Sequence, residues 1–204
     1  MDLFSSQNSP DLRRNAALPW LLVLAWGLLG WACRPDTYRG GLNVALGYET
    51  DTLLFDTVLV QAGSITKRFK IYNPSDQDLL VDRIALGSAL AGGSRPSGFR
   101  LNINGLAANQ AQNLRLAAGD SLYIFAEVTV NPNDSLTPYL VTDSVLFFTG
   151  QRVGKVMLTA FGQNARFYRD SIIGTTVWTK DLPIVIYNSI LVDSQATLWI
   201  QPGT

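Results

Sequence analysis

The sequence predicts an all-β protein built on an antiparallel β-sandwich. Three observations carry that prediction. Between residues 51 and 164, short runs of alternating apolar and polar residues recur, each closed by turn chemistry such as Asn73-Pro74-Ser75-Asp76, Ala118-Gly119-Asp120 or Asn131-Pro132-Asn133-Asp134. Charged residues make up only 16% of the 204 and hydrophobic ones 47%, too apolar a balance for a disordered chain. Beyond the N-terminal apolar run, no segment carries a convincing helical period.

Residues 1–15 form a polar leader ending in Arg13-Arg14, followed by the apolar run Ala16–Ala32 and by Cys33, the only cysteine. A basic pair, an uncharged apolar stretch and a small residue before the cysteine predict a signal peptide over 1–32, with Cys33 as the lipid acceptor. Gly27, Gly30 and Ala32 supply small residues ahead of the cleavage point, and Arg34-Pro35-Asp36 turns the chain polar where Pro35 would stop a helix. Two features point the other way. Arg14 and Arg34 enclose 19 uncharged residues, close to the roughly 20 that a membrane-spanning helix needs. The leucine usual three residues before a lipoprotein cysteine is replaced by Gly30, with bulky Trp31 after it. An uncleaved anchor and a merely buried cysteine therefore stand as alternatives. Lipidation implies a bacterial cell-envelope protein held at the outer membrane, on its periplasmic or its surface side. Acyl chains contribute about 0.8 kcal/mol per buried CH₂, so two or more hold stably.

Residues 33–50, with Gly40, Gly41 and Gly47, are expected to be a flexible tether. The sandwich then begins. Thr52–Val60 is the first strand. In the second, Ile65, Lys67, Phe69 and Ile71 face inward, with Lys67 near an edge. Leu79–Leu86 is the third, and Phe99–Ile103 the fourth, reached through a Gly/Ser/Pro loop at 92–98. The strongest strand follows. Leu122, Ile124, Ala126, Val128 and Val130 face one way, and Tyr123, Phe125, Glu127 and Thr129 the other. Ser144–Thr149 and Gly154–Gly162 make the last pair, joined by a turn near Gln151.

The phrases Phe69-Lys70-Ile71-Tyr72-Asn73-Pro74, Ala118-Gly119-Asp120-Ser121-Leu122, Val128-Thr129-Val130-Asn131-Pro132 and Leu158-Thr159-Ala160-Phe161-Gly162 resemble the immunoglobulin-like sandwiches of the abnormal-spindle/hydin and choice-of-anchor type. More narrowly, the chain resembles Bacteroidota lipoproteins in which such a domain follows the lipidated cysteine. The resemblance implies an immunoglobulin-like antiparallel β-sandwich over 51–164 that acts as a scaffold or protein-contact module. The remaining segment, 165–204, is β-rich. Its closing phrase, Leu198-Trp199-Ile200-Gln201-Pro202-Gly203-Thr204, resembles the first coil of a right-handed parallel β-helix. One coil cannot bury its own face. Three accounts stand open: the sequence is truncated just as a second coil would begin, these strands cover an edge of the sandwich, or they pair with another molecule.

Composition narrows the chemistry. Lys+Arg and Asp+Glu are both 16, so neither a basic nucleic-acid surface nor an acidic tail is expected. Histidine is absent, which removes the commonest general base, the Ser-His-Asp triad and most zinc sites. With one cysteine, no intrachain disulfide can form. Glu49 and Glu127 are the only glutamates and do not suggest a glycosidase pair. Asn131, Asn133, Asp134 and Asp143 lack the spacing of a twelve-residue calcium loop. No catalytic residue, cofactor or metal is therefore expected.

Asp-(Ser/Thr)-aliphatic occurs six times, at Asp51, Asp56, Asp120, Asp134, Asp143 and Asp170. The tripeptide resembles the O-glycosylation sequon of exported Bacteroidota proteins. Ser121, Ser135 and Ser144 are the preferred acceptors because each is expected at a loop–strand junction; turn chemistry explains the same residues. Trp178 and Trp199 are expected to pack, with sugar stacking as the alternative. The sequence thus predicts a non-enzymatic, lipid-anchored envelope scaffold whose partner is a membrane together with an envelope protein or a glycan. Its alternative is an accessory carbohydrate-binding or polysaccharide-processing protein whose active β-helix lies outside this sequence.

Overall fold

Strict side-chain alternation gives each run one apolar face, and those faces close on one another as two five-stranded sheets. The computed structural model describes residues 45–91 and 97–204. The first sheet consists of β1 (Gly47–Tyr48), β3 (Lys67–Tyr72), β8 (Ser121–Val128), β5 (Phe99–Ile103) and β6 (Leu106–Ala107), in that spatial order. The second holds β2 (Thr52–Leu59), β10 (Arg152–Gln163), β9 (Tyr139–Thr149), β4 (Leu79–Leu86) and β7 (Gln110–Leu116). Neighbours run antiparallel except β2 and β10, which are parallel with a register shift between Thr159 and Phe161. Apart from the β5–β6 and β9–β10 pairs, consecutive strands alternate between the sheets, giving an immunoglobulin-like sandwich.

The core lies between the sheets. Leu122, Ile124, Ala126 and Val128 of β8 are all buried, as the alternation predicts, and so is Val130, which lies just beyond the strand's end. Phe69 and Phe147 meet across the core edge to face, with ring centres 6.3 Å apart, and Phe55 packs on Phe99 at 5.6 Å. Each large side chain buried this way stabilises by about 1.5–3 kcal/mol. Asn73 closes the turn after β3 from inside. Its amide donates to the carbonyls of Gln77 (2.7 Å), Leu116 (3.2 Å) and Ala117 (3.1 Å), and its carbonyl accepts from Ser75.

Several expectations shift. The tether was placed over 33–50, yet Leu46 is buried in the core and Gly47–Tyr48 pair with β3. A two-residue strand has no periodicity to betray it. Ile65, assigned to the inner face, precedes its strand and is 72% exposed. β7 has no counterpart in the sequence reading: Gln110-Ala111-Gln112-Asn113 is polar because it is a sheet edge with most side chains in water. The Gly/Ser/Pro loop is preceded by one helical turn, α1 (Gly87–Leu90).

The C-terminal segment forms two stacked turns where one was expected. β11 (Arg166–Ile173) lies parallel to β13 (Ile184–Val192), and β12 (Thr176–Trp178) parallel to β14 (Leu198–Ile200). Arg166 faces Ile184 and Thr176 faces Leu198, so the second turn overlies the first instead of stopping at its start. The runs 183–187 and 189–193 are one strand bent at Asn188, whose φ is +62°. Asp170 bends β11 at the same level (φ +43°), and Asn188 donates to its carboxylate at 2.9 Å. Phe167 stacks on Tyr187, with ring centres 6.0 Å apart and planes 12° from parallel, and also packs against the sandwich core.

Candidate functional site

The second of the stacked turns carries the most conspicuous surface feature. β13 reads Ile-Val-Ile-Tyr-Asn-Ser-Ile-Leu-Val, nine residues without a charge or a proline. Among the described residues it pairs with β11 alone, so its other edge presents unpaired backbone groups. Ile186 (44%), Leu191 (64%), Trp199 (54%) and Ile200 (61%) are exposed on β13 and β14. Natural edge strands are usually blunted by lysine, proline or a covering element; β13 contains neither lysine nor proline, and among the described residues no further strand pairs with it.

The predicted site residues fall in different places. Cys33 lies outside the described residues. Ser121 opens β8, as expected of a loop–strand junction, and its N–H donates to the Asp120 carboxylate at 2.7 Å. Ser135 sits in the loop between β8 and β9. Its hydroxyl donates to the Thr137 carbonyl at 2.7 Å and accepts from the Thr137 N–H at 3.2 Å, so turn chemistry holds it. Ser144 corrects the expectation. It lies within β9, opposite Met157 and half-buried, because the strand extends back to Tyr139. Trp178 is buried against Tyr168, at 5.1 Å between ring centres, whereas Trp199 stays exposed.

The carboxylates are engaged in holding loops. Asp143 accepts from the Ser88 N–H (3.1 Å), the Ser144 N–H (2.7 Å) and the Ser97 hydroxyl, pinning both ends of the connection between β4 and β5. Asp82 accepts from the Gly150 N–H at the β9–β10 turn (2.6 Å), and Asp78 pairs with Arg115 (2.6 Å). Glu49 accepts from the Lys70 N–H at 2.9 Å. Among the described residues, no three potential metal-ligating side chains lie together.

No family model matches this chain, and no curated protein matches it. Similar solved structures include a family 123 glycoside hydrolase from Clostridium perfringens, at 6% identity over 64% of this chain and 26% of that one, with a TM-score of 0.41. A protein of unknown function from Porphyromonas gingivalis W83 is 14% identical over 64% of this chain and 60% of its own, with a TM-score of 0.39. The E. coli chaperone DraB is 13% identical over 59% and 55%, with a TM-score of 0.37. The chain spans less than two thirds of the length of each. At such scores these likenesses assign neither substrate nor partner.

Proposed function

We infer that this protein is a non-enzymatic scaffold of the bacterial cell envelope, held to the outer membrane by acyl groups on Cys33 and contacting a protein partner through its C-terminal turns. The observation that carries the contact role is the open edge of β13, uncharged over nine residues and flanked by exposed Leu191, Trp199 and Ile200. Parallel pairing of β13 with β11, with one register shift between Arg169 and Ser171, supports a partner strand that adds in the same sense, with backbone hydrogen bonds giving affinity and alternate side chains giving specificity. Carboxylates committed to loops, as at Asp143 and Asp82, support a structural role for the sandwich. The lipid anchor rests on the sequence around Cys33.

A photo-crosslinking residue at Leu191 tests the contact in cells of the native host. One discrete envelope protein should be captured there and not from a probe at the outward-facing Tyr123. Adding Ile186→Lys should abolish the capture while the thermal midpoint stays within a few degrees. Equal capture from both positions overturns the reading.

A further inference from the structure

The outer face of the first sheet carries a groove of about 670 Å³, within the size range of small-ligand sites. Phe125 and Asn102 face each other across β8 and β5 and line it, next to the facing pair Glu127 and Arg100; Thr66 and Asn109 complete its rim. Phe125 is 37% exposed although it is a large aromatic, and Tyr123 continues the ring surface, 6.5 Å away between centres. Arg68 covers Tyr123, its guanidinium 4.9 Å from the ring centre, leaving Phe125 as the ring inside the groove. The Asn102 amide oxygen is buried and accepts no hydrogen bond. An acceptor in that state gains from any hydroxyl it can turn towards.

We propose that this groove binds a neutral carbohydrate chain, with a sugar ring stacked on Phe125 and hydroxyls bonded to Asn102, Arg100 and Glu127. The lining itself selects this class. Arg100 and Glu127 face each other, so an anionic ligand meets the carboxylate and a cationic one the guanidinium. A neutral polyol, with donors and acceptors on each hydroxyl, satisfies both. An extended peptide is disfavoured because β6 pairs with β5 on the side away from β8, and the Leu101 N–H donates to the Asn109 side-chain amide oxygen at 3.0 Å. The site shares no residue with the β13 edge, so either reading can fail alone.

The test uses the full chain in detergent, titrated with cellohexaose, mannohexaose, xylohexaose and chitohexaose, with hexagalacturonate as the charged comparator. Calorimetry should show at least one neutral hexasaccharide binding and hexagalacturonate at least tenfold weaker. Phe125→Ala should lower the affinity at least tenfold and Asn102→Ala about threefold or more, whereas Phe125→Tyr and the edge variant Leu191→Lys should bind as the parent does. Circular dichroism confirms that each variant is folded. Absence of binding to all four neutral chains, equal binding of the charged one, parental affinity in folded Phe125→Ala, or a tenfold loss in folded Phe125→Tyr each overturns the proposal.

Discussion

Asn73 and Gly98 show what single positions contribute. Asn73 serves three backbone carbonyls from a buried position, so Asn73→Ala leaves the buried Leu116 carbonyl and the part-buried Gln77 and Ala117 carbonyls without this donor. A loss on the order of 2 kcal/mol or more is expected in urea unfolding. Gly98 has φ +81°, and an added Cβ would come within 2.1 Å of the Thr129 carbonyl oxygen. Both the conformation and the collision act against Gly98→Ala, which should cost at least about 1–3 kcal/mol by the same measurement. The glycosylation expectation also belongs to single residues. Protein from its native host should carry added mass that is lost on Ser121→Ala or Ser135→Ala; a mass unchanged by either substitution removes both as acceptors. The Asn-Pro turn after β3 was legible in the sequence. The three carbonyls on Asn73 were not, because two of them come from residues more than forty positions away.

Among the elements, β1 shows how a short strand is held. Tyr48 reaches the core against Phe147, with ring centres 5.4 Å apart, and its hydroxyl lies over Gly154 in β10. A Cβ at Gly154 would fall 1.8 Å from that oxygen, so this glycine is a seat for the phenol. Gly154→Ala should cost about 1–3 kcal/mol, and less in a Tyr48→Ala background, as a double-mutant cycle would show. Burial also raises the Tyr48 phenol above the ordinary value of 10.0. A raised acid favours its neutral form in the fold. The contribution is therefore intact below pH 10.0 and lost as pH climbs through the folded-state value. Tyr48→Phe should shift the alkaline unfolding midpoint upward; an unchanged midpoint would place the pH sensitivity elsewhere. Alternation made β2, β4, β5 and β8 readable. β1 and β6, of two residues each, and polar β7 carry no such signal.

For the molecule as a whole, the proposed anchoring and the proposed contact can be tested separately. Cys33→Ser should abolish palmitate labelling and release the protein from the membrane fraction, while the thermal midpoint of the purified chain stays put. A Cys33→Ser variant that still partitions with the membrane would instead support an uncleaved anchor.

The sequence by itself determined the all-β class, the inner and outer faces of the strong strands, the turns between them and the absence of histidine chemistry. Those properties depend on neighbouring residues and on a period of two, both local. Only the tertiary structure decided that Leu46 belongs to the core, that Ser144 lies within a strand, and that the C-terminal piece stacks as two turns around Asp170 and Asn188. It also brought Phe125 and Asn102 together on one groove wall. Such outcomes depend on register between segments far apart in the chain, and register is set by packing the whole core at once.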